Sequence, residues 1–152
     1  MPDPLDQYRL RERLGYRLSR AARIMQERLD AQLGAHGLSR LTWCVLSGVG
    51  LEGKQSPSEL ADHIGVTRPV ISRALKSMAD AGLIARTLSD HDGRGRDIAM
   101  TPAGADLLDA CRPVVEQHQS QFLDKLTPQQ KSQLSDILEA LMEGEDGRLD
   151  TL

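Results

Sequence analysis

The sequence predicts a mainly α fold that carries one small β-hairpin, and three observations predict it. Aromatics make up only 3% of the 152 residues, so Leu, Ala, Ile, Val and Met must build the core, which favours helix. Apolar side chains recur at steps of three and four through most of the chain. Two short strand-like runs, "LIARTL" (83–88) and "RDIAM" (96–100), break that period, and "SDHDGRG" between them reads as a polar hairpin tip.

The first helix is expected over 8–33, where Leu10, Leu14, Leu18, Ala21, Ala22, Met25, Leu29 and Leu33 share a stripe. "GAHG" (34–37) ends it, glycine supplying the left-handed turn that closes helices. Ser39 caps a second helix through about Val49, and "GLEGKQ" (50–55) is loop. Ser56-Pro57-Ser58-Glu59 is a capping box with proline at the first helical position, and that helix stops at Gly65. Thr67 is expected to cap the next helix, which runs to about Ala81; Pro69 is tolerable in its first turn, where an N–H has no helical partner. After the hairpin, Thr101-Pro102 opens a helix that Pro113 should bend. Thr127-Pro128-Gln129-Gln130 starts the last helix, with Leu134, Ile137, Leu138 and Leu141. The chain reads as a single domain over 1–152. Residues 8–35 and 101–145 are expected to form its helical region, 36–100 a module of short helices and hairpin, and 146–152 a disordered tail.

Net charge is −3, which at first counts against a nucleic-acid partner. The charge is segregated, however. Residues 101–152 hold four basic against ten acidic side chains, whereas 66–96 hold six basic against three acidic. A mid-chain basic strip survives the acidic average. No apolar run approaches the roughly 18 residues needed to span a bilayer, and no secretory signal is evident, so the expected compartment is the cytoplasm without a membrane partner. His36, His63, His91 and His118 are scattered without ligand spacing, so neither a metal nor another cofactor is expected.

The helix 56–64, Gly65 and the helix 67–81 form a helix-turn-helix pattern. Ala61 is small where two helices approach, Gly65 permits the sharp turn, and Val66 and Ile71 fill the crotch. Ile71, Ala74, Leu75 and Met78 make the buried stripe of the second helix. Arg68, Pro69, Ser72, Arg73 and Lys76 are left facing outward. A helix fits the major groove, where Arg reads guanine and the hydroxyls of Thr67 and Ser72 reach phosphates or base edges. The hairpin makes this a winged version, with Arg94 at its tip placed for a minor groove.

The segments "LTWCVL" (41–46), "SPSELADHIGVTRPVISRALKSMADAGLIAR" (56–86) and "DGRGRDIAMTPAG" (92–104) resemble the multiple-antibiotic-resistance-regulator (MarR) family of bacterial transcription factors. The resemblance covers about residues 8 to 142. It implies a homodimer whose terminal helices intertwine and whose two winged modules grip double-stranded DNA at a pseudo-palindromic operator. It also implies repression relieved by a small aromatic or phenolic effector, or by cysteine oxidation. Carried over by position, the DNA contacts are Arg68, Pro69, Val70, Ser72, Arg73 and Lys76, with Arg94 and Arg96 on the wing. Val70 and Pro69 stand where the family often has small hydroxyl residues, so readout here leans on thymine-methyl contact. For the effector the candidates are Arg17, Arg20, Met25, Trp43, Cys111 and His118.

Other classes compete with this reading. One is a helical protein-interaction module on the same fold that binds no DNA; another is a regulator responsive to redox state through Cys44 or Cys111. A thiol enzyme is disfavoured because no His is placed by sequence to activate either sulfur. No catalytic residue is assigned.

Overall fold

The computed structural model describes residues 7–88, 96–145 and 147–152. A short 3-10 turn, Leu10–Glu12, precedes α1 (Leu14–Gly34), followed by α2 (Arg40–Gly50), α3 (Pro57–Ile64) and α4 (Arg68–Asp80). The hairpin strands are β1 (Ile84–Leu88) and β2 (Arg96–Met100), and the chain continues through α5 (Pro102–Leu123) and α6 (Pro128–Met142).

The first helix starts later than its apolar stripe suggests. Arg13 is extended at φ −73, ψ 133 and supplies no side-chain cap, so the stripe from Leu10 begins in a tight turn rather than in α1. Elsewhere the caps lie where hydroxyls were expected. Ser39, Ser56, Thr101 and Thr127 each accept a backbone N–H from their helix, and three of them complete a reciprocal box. Thr67 departs from the expectation: it precedes α4 in extended geometry, but its side chain does not cap the helix.

The core is built mainly by the central elements. Val45 and Leu46 of α2, Leu60 and Ala61 of α3, and Val66 meet Ile71, Leu75 and Met78 of α4. Ile84 and Ile98 cover them from the hairpin, and Leu108 and Cys111 from α5. Of α1 only Leu33 is buried, and α6 buries nothing. The strands pair antiparallel from Ile84 opposite Met100 to Leu88 opposite Arg96. The Ile98 amide also donates to Gln55 O at 2.8 Å, tying the α2–α3 loop to the hairpin.

The Thr101-Pro102-Ala103-Gly104 run locks the hairpin to α5. Thr101 Oγ1 donates to Gly82 O at 2.6 Å and accepts the Gly104 amide at 3.1 Å. A Cβ on Gly104 would stand 2.0 Å from Leu83 O and 2.7 Å from Met100 Sδ, so only glycine fits. α5 continues through Pro113. His118 Nε2 lies 2.8 Å from Met25 O, and its ring meets Phe122 edge-on, so this histidine clamps α5 to α1.

The structure corrects the expectation of a disordered tail. Residues 147–152 fold back onto the helix-turn-helix, where Leu149 forms a parallel bridge with Val66. Arg148 pairs with Asp62, and Leu152 packs against the core. The acidic composition suggested fraying, but the Gly65–Thr67 turn has backbone groups that need partners, and this segment supplies them.

Candidate nucleic-acid interface

The site begins at α3. The Glu59 carboxylate accepts the amides of Gln55 at 2.9 Å and Ser56 at 3.2 Å, and Ser56 Oγ accepts the Glu59 amide. The Gln55 amide and then the Ser56 amide hold the Glu59 carboxyl below its ordinary pKa, because both bonds favour the ionised form. This fixes the first turn of α3. Its end is fixed by Gly65 at φ 78, ψ 32, a left-handed residue whose amide donates to Ala61 O at 2.9 Å.

From this turn α4 leaves with a sharp division of faces. Val70, Ile71, Ala74, Leu75 and Met78 are buried, while Arg68, Pro69, Ser72, Arg73 and Lys76 are exposed. The spacing of three and four makes both faces continuous. Val70 corrects the sequence reading: at 6% exposure it belongs to the core and has no surface to offer a thymine methyl. Position 70 follows the core period, and the positional analogy overrode it.

The Arg68 guanidinium donates to Ser58 Oγ, which joins the outer surfaces of α3 and α4. Among the described residues, no ion pair engages Arg73 or Lys76. Thr67 is half-buried, its hydroxyl donating to Asp150 Oδ1 at 3.3 Å. Arg96 opens β2 opposite Leu88. Arg94 and the rest of the hairpin tip, 89–95, lie outside the described residues. The sequence reading missed Ser58, hidden inside a capping run, and the contacts of Arg148, Leu149 and Asp150, hidden by distance along the chain.

The six effector candidates do not gather in one depression, although His118 Nε2 lies against Met25 O. Arg17 and Arg20 line an open depression of about 360 Å³ with Tyr16 and Ile24 on the outer face of α1. Trp43 packs against the core from α2, Met25 is exposed on α1, and Cys111 and His118 are buried on α5. Burial pushes both thiols up; at Cys44 the Arg40 charge opposes this in part. Neither sulfur has the polarised, thiolate-favouring setting of a redox sensor. No described helix is long and apolar enough to cross a membrane.

Two helices joined by a left-handed glycine, an outward cationic face and a following hairpin define a winged helix-turn-helix DNA-binding protein. Similarity to known proteins makes the class specific. Residues 36–95 match the model of the MarR family. The HTH-type transcriptional repressor Rv2887 of Mycobacterium tuberculosis (strain ATCC 25618 / H37Rv) is 30% identical over 128 residues, covering 84% of this chain and 92% of that protein. The chain belongs to the MarR family and is a DNA-binding transcriptional regulator rather than an enzyme.

Solved structures share the fold. The organohalide-sensing regulator RdhR-CbdbA1625 in its 2,4-dichlorophenol-bound form matches with a TM-score of 0.82 at 18% identity, over 96% of this chain and 87% of that one. The S. aureus MepR–DNA complex matches at 0.79 and 18%, over 86% of this chain and 97% of that one.

Proposed function

We propose that this regulator is a homodimeric repressor that grips a pseudo-palindromic operator with one α4 in each half-site. The observation that carries the reading is the exposed α4 face, where Arg68, Ser72, Arg73 and Lys76 align and no described carboxylate pairs with Arg73 or Lys76. Phosphate contacts through such cations give affinity, and base-edge contacts give sequence preference. Thr67 and Pro69 flank this face at its start, and Arg94 and Arg96 are proposed as additional contacts from the wing sequence.

Dimerisation is supported by what one chain leaves uncovered. α6 buries no residue, yet carries exposed Leu134, Ile137, Leu138, Leu141 and Met142. α1 leaves Leu14, Leu18, Ile24 and Met25 exposed. A helix of this length draws its stability mostly from packing, so α6 needs a second surface. A second copy, with the same unpaired stripes, supplies it. The division into helical dimerisation region, 8–35 with 101–145, and winged module, 36–100, follows the same distribution of burial.

Release by a small aromatic or phenolic ligand is proposed through Arg17 and Arg20, which line one depression beside Tyr16. The 2,4-dichlorophenol complex of RdhR-CbdbA1625 supports that chemistry by relationship. Met25, Trp43, Cys111 and His118 serve packing or the dimer face. Repression is favoured over activation by the designation of Rv2887 as a repressor.

The test is footprinting on DNA flanking the gene, combined with sedimentation. The expected result is a dimer protecting two half-sites whose centres lie about 10 bp apart. A monomer, or protection of a single unpaired half-site, would refute the proposal. Leu138→Asp should dissociate the dimer and abolish protection while leaving the monomer's winged module folded.

A further inference from the structure

The segment 147–152 lies against the element that reads DNA. The Leu149 amide donates to Gly65 O at 2.9 Å, and Leu149 O accepts the Thr67 amide at 3.0 Å. These two bonds make the segment a one-residue parallel strand on the helix-turn-helix turn. Side chains reinforce them on both sides: Arg148 pairs with Asp62 of α3, and the Thr67 hydroxyl donates to Asp150 Oδ1 at 3.3 Å. Leu152 packs against the core at the far end and lines an open depression with Leu38, Leu41, Asp30 and Arg40.

The position of Asp150 matters most. No side chain caps α4, and Pro69 contributes no N–H, so the start of the helix presents unpaired amides and the positive end of its dipole. A DNA phosphate at a helix start seeks the same amides and a neighbouring hydroxyl. In this structure the Thr67 hydroxyl faces a carboxylate of the chain itself. The stretch 143–150 is acidic in sequence as well, with Glu143, Glu145, Asp146 and Asp150 against Arg148.

We propose that the Gly65–Thr67 edge is a peptide-docking surface whose occupant is residues 147–152, and that the docked segment excludes a DNA phosphate from the start of α4. The segment is thus an autoinhibitory strap, and operator binding requires it to lift. This rests on the DNA-binding reading above. A strap closed nine-tenths of the time weakens binding about tenfold for each half-site, because the competent fraction scales the apparent affinity.

The experiment measures duplex binding by fluorescence anisotropy, on the full chain and two variants, using the footprinted DNA. One variant lacks residues 147–152. The other is Leu149→Pro, which removes the amide that donates to Gly65 O, keeps every charge, and alters a side chain that is 56% exposed. Both variants should bind about tenfold more tightly or better. A synthetic peptide of residues 145–152, added to the truncated protein, should restore the weaker affinity.

Equal affinity of all three proteins would leave the regulator reading intact and overturn the strap. Tightening on truncation without tightening in Leu149→Pro would also overturn it, since release of the Leu149–Gly65 backbone bond would then not be what frees the start of α4. Absence of duplex binding by every protein would overturn the DNA-binding reading and the strap with it.

Discussion

Replacing Arg73 and Lys76 by alanine probes the α4 face directly, and the magnitude follows from the number of outward cations. The chain presents three on α4, Arg68, Arg73 and Lys76, and the proposed dimer doubles them. If all three in both protomers meet phosphates, log K falls with log salt at a slope of about −5. Adding Arg94 and Arg96 from both wings steepens it to about −9. Between 50 and 200 mM salt, the smaller slope already costs about a thousandfold in affinity.

Arg73→Ala separates two roles. If Arg73 binds a phosphate in each half-site, its removal flattens the slope by about 2. If it reads a guanine instead, the slope stays in place and specific binding weakens by about 1–3 kcal/mol per half-site. Anisotropy titrations of operator and scrambled duplex at four salt concentrations distinguish the outcomes. A wild-type slope shallower than about −2 would refute the phosphate role of this face. So would an Arg73→Ala, Lys76→Ala double variant that keeps both the slope and the specificity.

Two further outcomes are expected. Gly104→Ala drives a methyl against the rigid Leu83 carbonyl and should cost about 1–3 kcal/mol, read by calorimetry as a Tm lower by about 3–10 °C; an unchanged Tm would show that the α5–hairpin junction is not closely packed. Glu59 has a depressed pKa, so its stabilising contribution is present above the ordinary glutamate range and disappears as pH falls through the folded value. Glu59→Gln should therefore flatten the acid limb of a stability-versus-pH curve, and an identical limb in both proteins would show that ionisation of Glu59 adds no stability.

The helix-turn-helix was legible because its requirements are local. Ser56 with Glu59, Gly65 at positive φ and the buried period of Ile71, Ala74, Leu75 and Met78 each depend on residues within one or two turns of one another. The late start of α1 was less legible, since a stripe beginning at Leu10 does not reveal that Arg13 lacks a cap. Val70 shows the opposite error: the period pointed inward, and analogy by position placed it on the DNA face. The effector candidates rest on family position, and the chain spreads them over α1, α2 and α5, with Arg17 and Arg20 in one depression and His118 against Met25.

Element order, the glycine turn, the wing strands and the cationic side of α4 are all written in short stretches of sequence, because periodicity, caps and turn residues act over a few positions. Three other features emerge only when the chain is folded: Thr67 bonds Asp150 instead of capping α4, Arg68 reaches Ser58, and Leu149 seats on Val66. Each of these joins residues that are distant in the chain or that compete for one donor. Which partner a hydroxyl or amide takes is settled by what folding brings within about 3 Å, a distance that spacing in the sequence does not encode.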